Sequence, residues 1–140
     1  MFDNLRQRGM AFGITFGNLS ILSNSRLSLE AGEYARDMGQ YEPFHEHIFH
    51  AYFMEALDIG NMTNLCDVAV RCGLDPIDMM AALKDHRYQP RLDDARKEAM
   101  AINLSGVPTF IINNRHKLVG AQSLSVFSDL FEKIQMKDAR

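Results

Sequence analysis

Residues 105–113 read SGVPTFIIN, and this stretch decides how the second half of the chain folds. Gly106, Val107 and Pro108 stand directly before a short run of strand composition, and Asn113 follows it as a turn residue. Proline donates no hydrogen bond to a sheet, so it is confined to strand starts, edge strands and turns. The stretch therefore predicts a turn at Pro108 that leads into a short strand.

The sequence after this strand predicts a hairpin and a closing helix. Asn113 and Asn114 tolerate the positive φ of a tight turn, and HKLVG at 116–120 has the composition of a returning strand. Ser123 can cap an amphipathic helix whose apolar residues are Leu124, Phe127, Leu130, Phe131 and Ile134. Because a hairpin of two strands is marginal in water, the sheet is predicted to be incomplete.

The residues before the hairpin predict about five helices between positions 24 and 103. Their start signals are, in chain order, Asn24 or Ser25, Pro43, Thr63, Asp75–Pro76 and Pro90. The helix that begins near Pro43 has a dense apolar stripe of Phe44, Ile48, Phe49, Tyr52 and Phe53. Residues 1–22 fit either a loop or a short strand.

Composition excludes several classes of function. The chain has 140 residues, of which 46% are hydrophobic, so it is long enough for one domain with a real core. The net charge of −3 argues against nucleic acid as a partner, because binding DNA or RNA requires a basic patch. No apolar run reaches the roughly 20 residues of a membrane span, so no membrane partner is expected. The first residues lack the order of a signal peptide.

Two groups of residues could form a redox or metal site, the two cysteines and a cluster of histidines, and neither is predicted to do so. Cys66 and Cys72 lie six positions apart on a predicted helix, too far around and along it for a disulfide, so they are interpreted as reduced thiols. His45, His47 and His50 flank Glu46 in HEHIFH, where pairs at helical spacing could bind a metal. A third ligand would have to come from elsewhere, so no metal site is predicted.

The order of these segments resembles the DsbA-like thiol–disulfide oxidoreductases, and most closely the FrnE-type, dithiol–disulfide isomerase-like group. The resemblance covers roughly residues 20–135, and its most specific parts are NSRLSLEAGEYA at 24–35 and GVPTF at 106–110 followed by GAQS at 120–123. It implies an α/β fold that is mostly helical: an incomplete thioredoxin-like fold, made of the C-terminal hairpin and helix, with an α-helical insertion domain.

The resemblance also implies a domain organisation and a site. Residues 1–22 would be an N-terminal segment, 23–104 the helical insertion and 105–140 the C-terminal half of the thioredoxin-like domain. Gly106, Val107, Pro108 and Thr109 match the family's cis-proline loop, where the backbone before the proline pairs with an extended substrate. A trans proline that simply starts an edge strand is the structural alternative.

The family's Cys-x-x-Cys motif, which supplies the reactive thiolate, is absent from this chain. No catalytic residue and no cofactor are therefore predicted, and the chain is expected to be inactive alone. The alternative is a non-catalytic module that uses its exposed sheet edge to dimerise or to bind peptides. The expected partners are a second copy of the chain and an extended peptide or thiol protein at Val107–Pro108, in the cytoplasm.

Overall fold

The structure, a computed structural model, describes residues 2–138 of the chain. Within them seven helices and two strands follow one another. Their bounds are α1 Phe2–Met10, α2 Arg26–Asp37, α3 Tyr41–Phe53, α4 Met62–Arg71, α5 Pro76–Lys84, α6 Gln89–Ala101, β1 Thr109–Ile112, β2 His116–Val119 and α7 Leu124–Asp138. The expected fold class is confirmed, because the chain is mostly helical and its small sheet is antiparallel.

The N-terminal segment contains a helix that the sequence did not predict. Helix α1 covers most of its first ten residues, and residues 14–24 then run without regular structure. The short strand considered for this segment therefore does not form. Gly17 lies where the segment passes α3, since its amide donates to Phe53 O at 2.8 Å. A Cβ at Gly17 would come within 2.4 Å of Met54 O, so only glycine fits this crossing.

The helix starts follow the predicted signals with one correction. Asp75 caps α5, because its Oδ1 accepts from the amide of Ile77 at 2.8 Å, and Pro76 takes the first helical position as predicted. Helix α4, however, begins earlier than expected. Its cap is Asn61, whose Oδ1 accepts from the amide of Thr63 at 2.8 Å, so Thr63 lies inside the helix.

The hydrophobic core is formed by α2 to α5 and the turn that follows them. Helix α2 packs against α3, α4 and α5, and α4 packs against both α3 and α5. The most deeply buried large side chains include Tyr34, Phe44, Leu65, Met79 and Leu83. The apolar stripe predicted for α3 is divided, because Phe44 and Ile48 enter this core while Phe49 is half exposed.

Strands β1 and β2 pair as the predicted hairpin. Thr109 lies opposite Val119 and Ile112 lies opposite His116. Asn113 and Asn114 both have positive φ, near 51° and 53°, as the tight turn requires. The sheet formed by residues 2–138 has these two strands only.

The contacts of the chain divide it into two compact units, Met1–Ala95 and Arg96–Arg140, with the division inside α6. The first unit holds the core described above. In the second, the Phe110 and Phe127 rings meet edge to face with centroids 5.0 Å apart, and Ile134 of α7 is buried. Lys117 Nζ donates to Ile102 O and Asn103 O, in the turn that follows α6. The predicted domain boundary at 104/105 stays a prediction.

Candidate functional site

The loop from Gly106 to Thr109 is held in place by its own hydrogen bonds. The peptide bond between Val107 and Pro108 is cis, as the resemblance implies. The hydroxyl of Thr109 donates to Gly106 O, and the amide of Gly120 donates to Pro108 O at 2.7 Å. A Cβ at position 106 would lie 3.2 Å from the side chain of Val119, so glycine gives the loop its close approach to β2. The loop is thus fixed on both sides of Pro108.

Val107 is the most accessible part of this loop. Its side chain and backbone together are 83% exposed. Among the hydrogen bonds formed by residues 2–138, none involves the amide or the carbonyl of Val107. The residue therefore presents a free donor and a free acceptor next to Pro108, which is the arrangement that an extended peptide needs.

The pairing of β1 with β2 decides which further backbone groups are free. Because Pro108 O accepts from Gly120, residues 110 and 112 exchange hydrogen bonds with β2, and Thr109 and Ile111 form the alternate, non-bonded pairs. The amide and carbonyl groups of Thr109 and Ile111 consequently point away from β2. With Val107 they form a row of unpaired groups, which we call the β1 edge.

The two cysteines are free and poorly suited to thiol exchange. Cys72 is buried, and Cys66 is partly buried with its Sγ donating to Pro76 O at 3.8 Å. Burial raises the pKa of both thiols above its ordinary value, so little thiolate forms near neutral pH. The interpretation of these residues as unpaired thiols is confirmed.

The three histidines of α3 have separate surroundings. The Nδ1 atom of His47 lies 2.8 Å from Pro43 O, and that of His50 lies 2.9 Å from Glu55 Oε1. The ring of His45 stacks on Phe49 with centroids 4.5 Å apart. Within residues 2–138 no three His, Cys, Asp or Glu side chains converge as a metal site would require.

An aromatic row on α3 is a feature that the sequence reasoning missed. Tyr41, His45, Phe49 and Phe53 follow one another at four-residue spacing, with neighbouring ring centroids 4.5–5.7 Å apart. The row separates two apolar grooves of about 410 and 610 Å³. The four-residue spacing of the rings in the sequence could have predicted this row. Phe44 and Ile48 lie between these residues in the sequence, so the whole set was interpreted as one apolar stripe.

The hairpin, its cis-proline loop and the closing helix define the class of thioredoxin-like proteins. The sequence model of the DSBA-like thioredoxin domain matches residues 1–132. The chain therefore belongs to the DsbA-like thioredoxin domain family. The Bacillus subtilis protein YwbO is 30% identical over 125 residues, which are 89% of this chain and 62% of YwbO.

A solved structure shares the fold. The crystal structure of a probable DsbA oxidoreductase from Streptomyces coelicolor superimposes with a TM-score of 0.79 at 23% identity, covering 94% of this chain and 57% of that one. The chain thus spans less than two thirds of the length of either relative. None of the helices among the described residues has the length and apolarity needed to cross a membrane.

Proposed function

We propose that this chain belongs by descent to the FrnE-type disulfide oxidoreductases or isomerases and acts as a substrate-docking module. In this proposal it binds extended segments of thiol proteins through the Val107–Pro108 loop and catalyses no thiol–disulfide exchange by itself. The observation that carries the proposal is the unpaired and exposed backbone of Val107, held next to Pro108 by the bonds of Thr109 and Gly120. Family membership supplies the class of reaction.

The chemistry of the loop favours a peptide over a small molecule. An extended peptide binds a free strand edge by main-chain hydrogen bonds, whatever its sequence. Val107 and Thr109 offer donors and acceptors along one edge, and residues 105–114 include no charged side chain. Binding should therefore depend on an extended backbone and on apolar side chains, and it should change little with salt.

The state of the cysteines supports the proposed lack of catalysis. A thiolate is the nucleophile in disulfide exchange, and this sequence has no Cys-x-x-Cys motif to provide one. The burial that raises the pKa values of Cys66 and Cys72 disfavours their thiolates. Free thiols of this kind suit a reducing compartment, which supports the cytoplasm as the location.

Docking can be tested by NMR titration of the ¹⁵N-labelled chain with an extended, cysteine-containing peptide held reduced. We expect the amide signals of Val107 and Thr109 to shift with peptide concentration. Those of Lys117 and Val119, on the opposite edge of the hairpin, serve as the internal control and should stay in place. A titration that leaves Val107 and Thr109 unmoved refutes docking at this loop.

Inactivity can be tested by the reduction of insulin with dithiothreitol. We expect the purified chain to give no rate above that of an equal concentration of free cysteine. Turnover that is present in the wild type and lost in Cys66→Ser or Cys72→Ser would show that the chain is an enzyme and that this part of the proposal is wrong.

A second candidate function, self-association through the hairpin, is favoured by the unpaired groups of the β1 edge. A two-stranded sheet is marginal in water, and strand addition by a second copy would give it four strands. The chain would then be a homodimer in solution.

A further inference from the structure

We infer that the chain forms a homodimer by antiparallel pairing of two β1 edges, and that this pairing covers the site proposed to bind substrate. The inference rests on the proposed function, since the same backbone groups serve both.

The composition of β1 is that of a strand buried on both faces. Its four residues are TFII, with Phe110 and Ile112 directed to one face and Ile111 to the other. Apolar residues on both faces are typical of a strand whose sheet is covered on both faces. In this hairpin, however, Phe110 is 40% and Ile111 is 46% exposed. The exposed apolar surface along β1 is therefore available for burial by another strand.

Charge distinguishes the two edges of the hairpin. No charged residue lies between Ser105 and Asn114, so two β1 edges can approach without repulsion. Strand β2 instead carries His116 and Lys117, and Arg115 directly precedes it. A lysine on an edge strand is one of the devices that prevent pairing with another chain. Self-pairing is thus allowed at β1 and opposed at β2.

The free groups of the β1 edge also fix a symmetric register. Val107, Thr109 and Ile111 each direct an amide and a carbonyl away from β2, as derived above from the Gly120–Pro108 hydrogen bond. Placing Thr109 opposite Thr109 of the second copy sets Val107 opposite Ile111, and Ile111 opposite Val107, with each pair exchanging two hydrogen bonds. A two-fold axis through Thr109 closes the assembly, which cannot then extend into a fibre.

This register places Val107 inside the dimer interface. A peptide that pairs with the backbone of Val107 must therefore displace the second copy, because both would use the same donor and acceptor. The dimer is consequently the form that cannot dock substrate, and peptide binding is predicted to give one peptide on a monomer.

The first test uses charge at the symmetric position. Wild-type protein is expected to show twice the chain mass of 15.9 kDa by light scattering after size exclusion. Thr109→Lys and Thr109→Glu should each be monomeric, because like charges would face each other across the axis. An equimolar mixture of the two should regain the dimer mass. Val119→Lys, which changes the cross-strand neighbour of Thr109 on β2, is the matched control and should remain dimeric.

Several outcomes would overturn the inference. These are a monomeric wild type, substitutions at position 109 that leave the dimer intact, or dissociation by Val119→Lys but not by Thr109→Lys. Far-UV circular dichroism checks that each variant is folded. If a variant unfolds, amide exchange on the wild type decides: Thr109 and Ile111 amides that stay equally unprotected at all protein concentrations refute the pairing.

Peptide titration separates this inference from the proposed function. A shift of the Val107 signal in a protein that is always monomeric supports docking and refutes the dimer. A dimer whose Val107 signal never responds to peptide supports the pairing and refutes docking. Conversion of dimer to peptide-bound monomer supports both, and a dimer that binds peptide at Val107 without dissociating refutes the register.

Discussion

Glu55 joins two helices through a single carboxylate. It accepts from Arg71 of α4, with Oε2 3.1 Å from Nη2, and its Oε1 lies 2.9 Å from His50 Nδ1 of α3. The hydrogen bond from Arg71 holds the pKa of Glu55 below its usual range, and His50 acts in the same direction. The carboxylate therefore stabilises the folded chain only while it is ionised.

Replacing this carboxylate should give a pH-dependent loss of stability. Glu55→Gln is expected to lower the free energy of unfolding by about 1 kcal/mol at neutral pH. Because the folded-state pKa lies below the unfolded value of about 4.3, the loss should be full above that value and vanish as pH falls through the folded-state pKa. Urea unfolding at several pH values measures it. Glu46→Gln, at an exposed position on α3, is the control, and equal effects of the two changes would contradict the prediction.

Glu30 differs from Glu55 because its side chain is fully buried. Neither of its oxygens has a hydrogen-bond partner among residues 2–138. The guanidinium Nε of Arg26 lies 3.8 Å from Oε1, and the imidazole Nδ1 of His86 lies 3.6 Å from it. Burying such a group is costly, and an apolar residue of similar shape often replaces it without loss. The position therefore contributes little stability in its native form.

Glu30→Met should leave the free energy of unfolding within about 1 kcal/mol of the wild type, or raise it. Arg26→Met should instead destabilise the chain, because it removes a cation and leaves the carboxylate buried. Denaturant unfolding of both variants at one pH makes the comparison. A loss of several kcal/mol in Glu30→Met alone would mean that the carboxylate is better satisfied than its surroundings indicate.

At the level of the elements, helix ends were more predictable than the helices' partners. Asp75–Pro76 and the turn at Asn113–Asn114 carry local signals that no packing overrides, and both were predicted. Helix α1 has no such signal, because few apolar residues are spaced along it. The contact of Glu55 with Arg71 spans sixteen positions, so it depends on how α3 meets α4 and cannot be read from spacing.

The same division applies to the candidate site. SGVPTFIIN predicts the turn and the strand from local chemistry alone, while the proposed substrate-docking role of Val107 comes from the resemblance to a family. The register of the strands decides which residues of β1 direct their amide and carbonyl groups away from β2, and the sequence alone does not determine that register.

The cap of α4 gives a direct test of the corrected helix start. Asn61→Ala should lower the free energy of unfolding by about 1 kcal/mol, because the amides of Thr63 and Asn64 lose their shared acceptor. Thr63→Ala should be neutral or slightly stabilising, since alanine is the better helix former. Thermal unfolding of the two variants decides between them. A larger loss in Thr63→Ala would restore Thr63 as the cap.

At the scale of the whole molecule, buried side chains are unevenly distributed. The first unit, Met1–Ala95, contains nearly all of the core, whereas Ile134 is the one buried hydrophobic residue of the second among the side chains that the structure describes. Local stability follows the apolar surface that a region buries. The second unit is therefore expected to be the less stable of the two.

Hydrogen exchange should show this difference. Amides of α2, α4 and α5 are expected to exchange more slowly than those of β1 and β2, by about an order of magnitude or more. The measurement is exchange followed by mass spectrometry at a protein concentration where the chain is monomeric. Equal protection of the hairpin and of these helices would contradict the expectation.

The division into two units also has a spectroscopic consequence. The chain has no tryptophan, and its four tyrosines, Tyr34, Tyr41, Tyr52 and Tyr88, all belong to the first unit. Tyrosine fluorescence therefore reports on the unfolding of the first unit and does not report on the hairpin. The substitution Phe110→Trp would place a fluorescent probe on β1. Its emission maximum should shift to shorter wavelength when a second strand covers the β1 edge.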